Sequence, residues 1–330
     1  MTTLVTGASG FVGSAVVRRL LQAGHDVRVL LRQSSRRDNI SDLPVEIVSG
    51  NLTDMPSLQN AVSGCSALFH AAADYRLWTR NPDAMYAANV DGTRNIMVAA
   101  ANAGVSRIVY TSSVATLGLH SDGTPANETT PSGLNDMIGH YKRSKFMAEQ
   151  IVQQLVADQG LPAIIVNPAG PVGPRDIKPT PTGQMVLDTI RGRMPGYIDT
   201  GLNIVHVDDV AEGHWLAFEK GEPGERYILG GENLPLREIL ARVATLAGRK
   251  PPRIRMPYYG VLPLAWCCEV AARLSDASQP LIAVDGVRMT RKCMYFSSGK
   301  AQRQLGYAPR PAQAALEDAV AWFQQHGYCV

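Results

Sequence analysis

The sequence lacks cysteines spaced for a metal and lacks an excess of charge of one sign. Its five cysteines, Cys65, Cys267, Cys268, Cys293 and Cys329, form no Cys-x-x-Cys and show no His/Cys ligand spacing. This argues against a zinc site and against a disulfide framework, and it fits a reduced, cytoplasmic setting. The formal net charge is +3, and the basic residues read as scattered apart from Arg36-Arg37, so neither nucleic acid nor a membrane is expected as a partner. No apolar run is long enough to span a bilayer. The longest candidate, Tyr258 to Leu274, is interrupted by Pro263, Glu269 and Arg273. The first residues run straight into a strand, so no signal peptide is expected. There is no internal repeat and no low-complexity tail. What is present is 330 residues, 45% hydrophobic and 18% charged. That composition suits a soluble enzyme made of one large domain or a domain with a smaller lobe.

The first half alternates buried apolar strands with amphipathic helices. Strands are expected at Thr3 to Thr6, Val27 to Leu31, Val45 to Val48, Ala67 to His70, Arg107 to Ser112 and Ala163 to Asn167. The helix after Gly13 carries Val16, Val17, Leu20 and Leu21 on one face, and Asn81 to Ala103 and Gly139 to Ala157 also read as helices. The pattern predicts an α/β fold with a doubly wound, Rossmann-like parallel sheet and a smaller C-terminal substrate lobe. Residues 1–167 plus about 203–226 are expected to form the dinucleotide-binding domain, and about 168–202 plus 227–330 the substrate lobe. Prolines and glycines between Pro168 and Gly196 read as loops crossing a cleft. Asn203 to Val207 reads as a strand returning to the first domain.

The first strand leads into Thr6-Gly7-Ala-Ser9-Gly10-Phe11-Val12-Gly13. Gly7 and Gly10 allow a tight turn and close approach of a pyrophosphate, Gly13 lets the helix pack on the strand, and the helix N-terminus attracts phosphate. Gly7, Ser9, Gly10, Phe11 and Val12 are therefore candidate cofactor contacts. At the end of the second strand stands Leu31-Arg32 rather than an Asp or Glu for a ribose 2′-hydroxyl. Arg32, helped by Arg36 or Arg37, suits a 2′-phosphate, which favours NADP while leaving NAD open. Asn51 and Leu52 follow the third strand and suit an adenine. Ala71, Ala72 and Ala73 follow the fourth, where small side chains let a ribose lie against the backbone.

Tyr141 and Lys145 lie four residues apart on one helix face. A lysine ammonium beside a phenol favours the phenolate and is expected to draw the tyrosine pKa down, giving an acid/base at neutral pH. Alone, Tyr-x-x-x-Lys arises often by chance. Its position after the glycine loop and after Thr111-Ser112-Ser113 makes it specific. His70, at a strand end, reads as structural. Asp208 and Asp209 read as helix caps, and Trp266 with Cys267 and Cys268 as part of an apolar helix face. The amphipathic stretch Pro263 to Leu274 reads as a core or lid helix, with contact to a membrane surface as the alternative. Arg175 suits either a substrate anion or an ion pair bracing its loop. Tyr75 and Trp78 suit either a substrate wall or core filling.

These residues together resemble the extended short-chain dehydrogenases/reductases, the superfamily of nucleotide-sugar epimerases and dihydroflavonol reductases, over nearly the whole chain. The resemblance is carried by the glycine loop, Thr111-Ser112-Ser113, Tyr141-x-x-x-Lys145, Asn167-Pro168 and His206-Val-Asp208-Asp209-Val-Ala211. The stretches His70-Ala-Ala-Ala-Asp-Tyr-Arg-Leu-Trp78, Gly173-Pro-Arg-Asp-Ile-Lys-Pro-Thr-Pro-Thr182 and Tyr227-Ile-Leu-Gly-Gly-Glu-Asn233 are similar to the hopanoid-associated sugar epimerase group. The resemblance implies Ser113 as catalytic serine, Tyr141 as acid/base and Lys145 as its partner. It also implies Asn89 as the family's helix asparagine, Asn167 and Pro168 near the cofactor, and a homodimer through the helices around 89–103 and 139–157. Gly50-Asn51 and Leu31 depart from the family pattern, which often has an acidic residue at each of these points. Three readings follow: an NADPH-dependent reductase or dehydrogenase of a small, apolar or hopanoid-linked substrate, a sugar epimerase with retained NAD, and a non-catalytic NADP-binding sensor.

Overall fold

The computed structural model describes residues 1–275 and 279–329. Its centre is a seven-stranded parallel sheet flanked by helices on both faces, a Rossmann-like α/β fold. Strands β1 (Thr2–Thr6), β2 (Asp26–Leu31), β3 (Glu46–Ser49), β4 (Ala67–His70), β5 (Arg107–Thr111) and β6 (Ala163–Pro168) alternate with α1 (Phe11–Gln22), α2 (Met55–Val62), α3 (Pro82–Tyr86), α4 (Gly92–Asn102) and α5 (Gly139–Gln159). The inner strands are apolar on both faces because helices cover both, as the continuous burial of β1, β4 and β6 shows. The helix expected from 81 to 103 contains a π-helical turn at Ala87–Asp91 between α3 and α4.

After β6 come β7 (Gly170–Val172), α6 (Pro181–Ile190), β8 (Gly196–Tyr197), β9 (Gly201–His206), α7 (Val207–Lys220), β10 (Arg226–Leu229) and β11 (Glu232–Pro235). The remaining elements are α8 (Leu236–Leu246), β12 (Ile254–Arg255), α9 (Tyr258–Leu274), α10 (Val284–Met289), α11 (Gly299–Leu305) and α12 (Ala312–Gln325). The large sheet runs β10-β6-β5-β4-β1-β2-β3, and β11-β9-β7 form a separate three-stranded sheet. Two assignments therefore differ from the sequence reading. The strand expected near 203–207 does not return to the large sheet, since β9 pairs with β7 and β11. Residues 227–229, expected in the lobe, instead lie beside β6 as part of β10. Short apolar strands carry no label of their partner, and only the pairing reveals which sheet they complete.

One core lies between the sheet and α1 with α7, including Val5, Val29, Phe69, Val109 and Phe218. A second lies under α2, α4 and α5, including Leu4, Leu68, Ile96, Ile108, Val152 and Ile165. The lobe has its own core around Val186, Ile204, Ile239, Leu316 and Phe323. Parallel register aligns Leu30, Thr6, His70, Tyr110 and Ile165 in one row across the sheet. That row carries apolar packing at its ends and a polar chain in its middle, just below the edge where the loops gather.

Candidate active site

The glycine loop is fixed by backbone geometry. Gly7 has φ +74°, and a Cβ there would lie 2.6 Å from the Ala72 nitrogen. A Cβ on Gly13 would lie 2.1 Å from the Gly7 carbonyl oxygen. Gly10 N–H donates to Gly7 O at 2.9 Å, closing the turn. No side chain caps α1, so its first-turn amides stay open toward the loop. Ser9, Gly10 and Val12 retain exposure there while Phe11 packs inward. This uncapped, Cβ-free cradle fits the pyrophosphate of a dinucleotide cofactor.

Arg32 is exposed and, among the described residues, its side chain has no hydrogen-bond or ion-pair partner. Arg36 is engaged by Asp38 at 2.8 Å, and Arg37 is exposed. Asn51 is exposed and accepts from Thr53 N–H at 3.3 Å, while Leu52 packs against Gly92. Ala71 and Ala72 donate to Thr6, through its carbonyl at 3.2 Å and its hydroxyl at 3.3 Å, and Ala73 follows them half-buried. Pro168 is buried.

Beneath the loops runs a buried polar chain. Thr6 Oγ1 meets His70 Nδ1 at 2.7 Å, and His70 Nε2 meets Thr93 Oγ1 at 3.0 Å. Burial, with the Lys145 charge nearby, pushes the His70 pKa down to about 3, so this ring is neutral and structural. It stacks on Tyr110 at 5.7 Å. Lys145 Nζ donates to Tyr110 Oη at 3.1 Å and to Thr111 O at 2.8 Å. Burial lowers the Lys145 pKa to about 8, partly offset by the Glu149 carboxylate.

Tyr141 and Ser113 come together: the Ser113 hydroxyl lies close enough to the phenol to lower its pKa, but burial outweighs it, and the phenol is held above its ordinary value. The expectation that Lys145 draws the Tyr141 pKa down is not met, because the lysine is directed at Tyr110 and the β5 carbonyl. Ser113 Oγ accepts from Ala115 N–H at 3.1 Å, capping a short turn. Ser112 is turned the other way and donates to buried Glu149.

Glu149, which the sequence reading did not single out, gathers this region. Its carboxylate accepts from Ser112, from Thr116 Oγ1 at 2.9 Å and from Asn167 Nδ2 at 2.9 Å, and pairs with Arg226 at 3.2 Å. Asn167 also donates to Ser113 O at 3.0 Å. The visible signal was spacing, since Tyr141, Lys145 and Glu149 form one helical stripe at i, i+4 and i+8. Asn89, in the π-helical turn, bonds the Asp74 backbone at 2.7 and 2.8 Å and Ser144 Oγ at 2.9 Å, tying the loop after β4 to the first turn of α5.

Three residues considered for substrate lie on loops between the sheet and the lobe. Tyr75 donates to Lys178 O at 3.2 Å, and burial pushes its pKa up to about 12. Among the described residues the buried Trp78 indole N–H has no hydrogen-bond partner. Arg175, at φ +74°, forms an ion pair with Asp208, the bracing role weighed for it. Asn39, not anticipated, donates to Ser9 O at 3.3 Å and Arg175 O at 3.2 Å, joining the glycine loop to this segment. Among the described residues no group of three His, Cys, Asp or Glu could hold a metal ion.

The profile of the NAD dependent epimerase/dehydratase family matches residues 3–230. A protein of Synechocystis sp. called putative dihydroflavonol 4-reductase is 47% identical over 329 residues, spanning 98% of this chain and 95% of that one. Sterol demethylase protein B of Methylococcus capsulatus is 35% identical over 328 residues, spanning 99% of both. The crystal structure of gox2253 superposes with a TM-score of 0.90 at 55% identity, covering 100% of this chain and 99% of that one.

Gly13→Ala is expected to destabilise the protein by about 1–3 kcal/mol through overpacking against Gly7 and to weaken dinucleotide binding. Thermal unfolding and cofactor titration check both, and an unchanged affinity would show that the loop does not form the cradle.

Proposed function

The chain belongs to the NAD dependent epimerase/dehydratase family, and from that footing we propose that it is an NADP-dependent reductase of the carbonyl group of a small apolar substrate. One observation carries the reading: the Tyr141 phenol, protonated at neutral pH, lies close to Ser113 just past the end of β5. A protonated phenol is a proton donor, which is what reduction of a carbonyl oxygen requires. When bound, the nicotinamide supplies hydride to the carbonyl carbon. Tyr141 gives its proton to the carbonyl oxygen, so the product is a secondary alcohol. Ser113 hydrogen-bonds the same oxygen as negative charge develops there. Below about pH 8 the Lys145 ammonium, held on Tyr110 and the Thr111 carbonyl, would favour the phenolate left on Tyr141 through space rather than by direct contact. Lys145 would also bind the nicotinamide ribose. Gly7, Ser9, Gly10, Phe11 and Val12 would hold the pyrophosphate, with Asn51, Leu52, Ala71, Ala72, Ala73, Asn167 and Pro168 around the nucleoside ends. Arg32, unpaired and standing where an acidic residue would select NAD, supports NADP.

The half-buried Tyr75 and Trp78 support an apolar substrate, as does the name of the Methylococcus relative. A hopanoid-linked substrate falls within that class. The proposal includes a homodimer through α4 and α5. The second reading, an epimerase that retains NAD, draws on the family description and uses the same Ser113, Tyr141 and Lys145. Cofactor exchange separates the two. Tight, exchangeable NADPH supports the reductase, and NAD that co-purifies and does not exchange supports the epimerase.

Tyr141→Phe should lower kcat by about 10²–10⁴-fold while cofactor still binds, and retained turnover would remove the acid/base role. Arg32→Ala should weaken NADPH by about tenfold or more, the worth of one charge-assisted hydrogen bond, and leave NADH nearly unchanged. Equal losses would remove the 2′-phosphate assignment. Because the folded Lys145 pKa is lowered to about 8, its charge is present below that pH and lost above it. kcat/KM should therefore fall on the alkaline side near pH 8. Glu149→Gln removes the anion that holds the lysine charged, so the fall should move to lower pH, and an unmoved profile would contradict the assignment.

A further inference from the structure

Helix α9 buries Val261 and Ala265 against Val284 and Val287, and its other side is apolar as well. Its one carboxylate, Glu269, is 8% exposed and accepts the Val284 N–H at 2.7 Å at the start of α10. Its large apolar side chains face outward instead: Tyr259 is 77% exposed, Leu264 54%, Trp266 48%, Val270 52% and Leu274 85%. Tyr259, Pro263, Trp266, Val270 and Leu274 follow helical spacing, so they share one stripe. The neighbouring Ile254 and Leu281 are 64% and 92% exposed. The segment expected to be a core or lid helix thus presents apolar surface to solvent.

Basic residues flank this stripe, some just before it in the chain and some against its aromatic rings. Arg249, Lys250, Arg253 and Arg255 precede α9, all exposed, and no Asp or Glu occurs between Glu238 and Glu269. Arg255 is paired with Asp199 at 2.6 Å. From α10 onward, the Arg288 guanidinium lies 5.6 Å over the Trp266 ring and Arg291 5.6 Å over Tyr258.

We propose that α9 and its basic rim dock on the surface of an anionic lipid bilayer. The rim calls for an anionic partner, and a second copy of the chain would set the arginines and lysines against each other. Tyrosine and tryptophan at the border of an apolar stripe are the side chains that settle at headgroup level, with basic residues toward the lipid phosphates. Among the described residues no helix is long and apolar enough to cross a membrane, so the contact is interfacial. It reaches the site through the loop after β4, because Arg80 Nη2 donates to the Ala272 carbonyl of α9 at 2.6 Å. The same loop carries Tyr75 and Trp78. The docking surface stands independently of the proposed reduction.

The test is sedimentation of the full chain with vesicles of phosphatidylcholine alone and of phosphatidylcholine with phosphatidylglycerol. Binding to the anionic vesicles should exceed that to neutral ones by about tenfold or more, given about 1 kcal/mol per basic residue at the surface, and should weaken with salt. Val270→Asp with Leu274→Asp, both at exposed positions, should abolish sedimentation with unchanged melting temperature. Arg249→Gln with Lys250→Gln and Arg253→Gln should remove the preference for anionic vesicles. A chain that stays in the supernatant with both vesicles, or a double variant that sediments like the parent, overturns the proposal. So does an oligomer in solution that Val270→Asp with Leu274→Asp dissociates while vesicle binding is absent, because the stripe then belongs to another copy.

Discussion

Burying the Glu149 carboxylate beneath the carboxyl edge of the sheet creates a demand for donors, since an unpaired charge there costs several kcal/mol. The donors it collects come from four separate segments: Ser112 at the end of β5, Thr116 in the following turn, Asn167 at the end of β6 and Arg226 at the start of β10. Satisfying one anion therefore sets the relative positions of two strand ends and the turn between them. Ser113 is the residue after Ser112, and its carbonyl is held by the same Asn167. Its hydroxyl is thereby left facing Tyr141. The site is shaped from behind, by a group that faces away from it.

Lys145 is caught between opposing terms. Burial disfavours its charge, while Glu149 one turn along the helix favours it, and the result is a lysine that titrates near physiological pH. Its hydrogen bonds to Tyr110 and Thr111 O keep the ammonium paired. The same charge helps keep His70 neutral. A neutral imidazole on β4, bonded by hydroxyls at both nitrogens, links β1 to α4 through Thr6 and Thr93, and it stacks on the Tyr110 ring that receives Lys145. The acid/base chemistry assigned to Tyr141 thus stands in front of a row of groups whose protonation states constrain one another.

Most of the central sheet was legible in the sequence because buried parallel strands are near-continuous apolar runs bounded by helices. The limits observed for β1, β2 and β4 to β6 fall within one residue of those expected. The glycine loop was legible because backbone approach leaves no alternative to glycine at 7 and 13. What escaped was the destination of short strands, since β9 and β10 look alike as sequence and differ only in their partners. The direction of the Lys145 side chain also escaped, because four-residue spacing places two residues on one face and says nothing of the hydroxyl and carbonyl that compete for the amine. The basic rim of α9 was hidden by a chain-wide count, which averages away a local run such as Arg249 to Arg255.

Asn39 bridges two carbonyls, of Ser9 and Arg175, with a single amide group. The first belongs to the nucleotide loop, and the second to a residue in the left-handed region, locked to the start of α7 by its pair with Asp208. Neither segment can be displaced without straining the amide that joins them. A displacement of either carbonyl therefore costs a hydrogen bond to the other segment's partner. The stretches around Ser9 and Arg175, far apart in the chain, are joined at this point through one side chain.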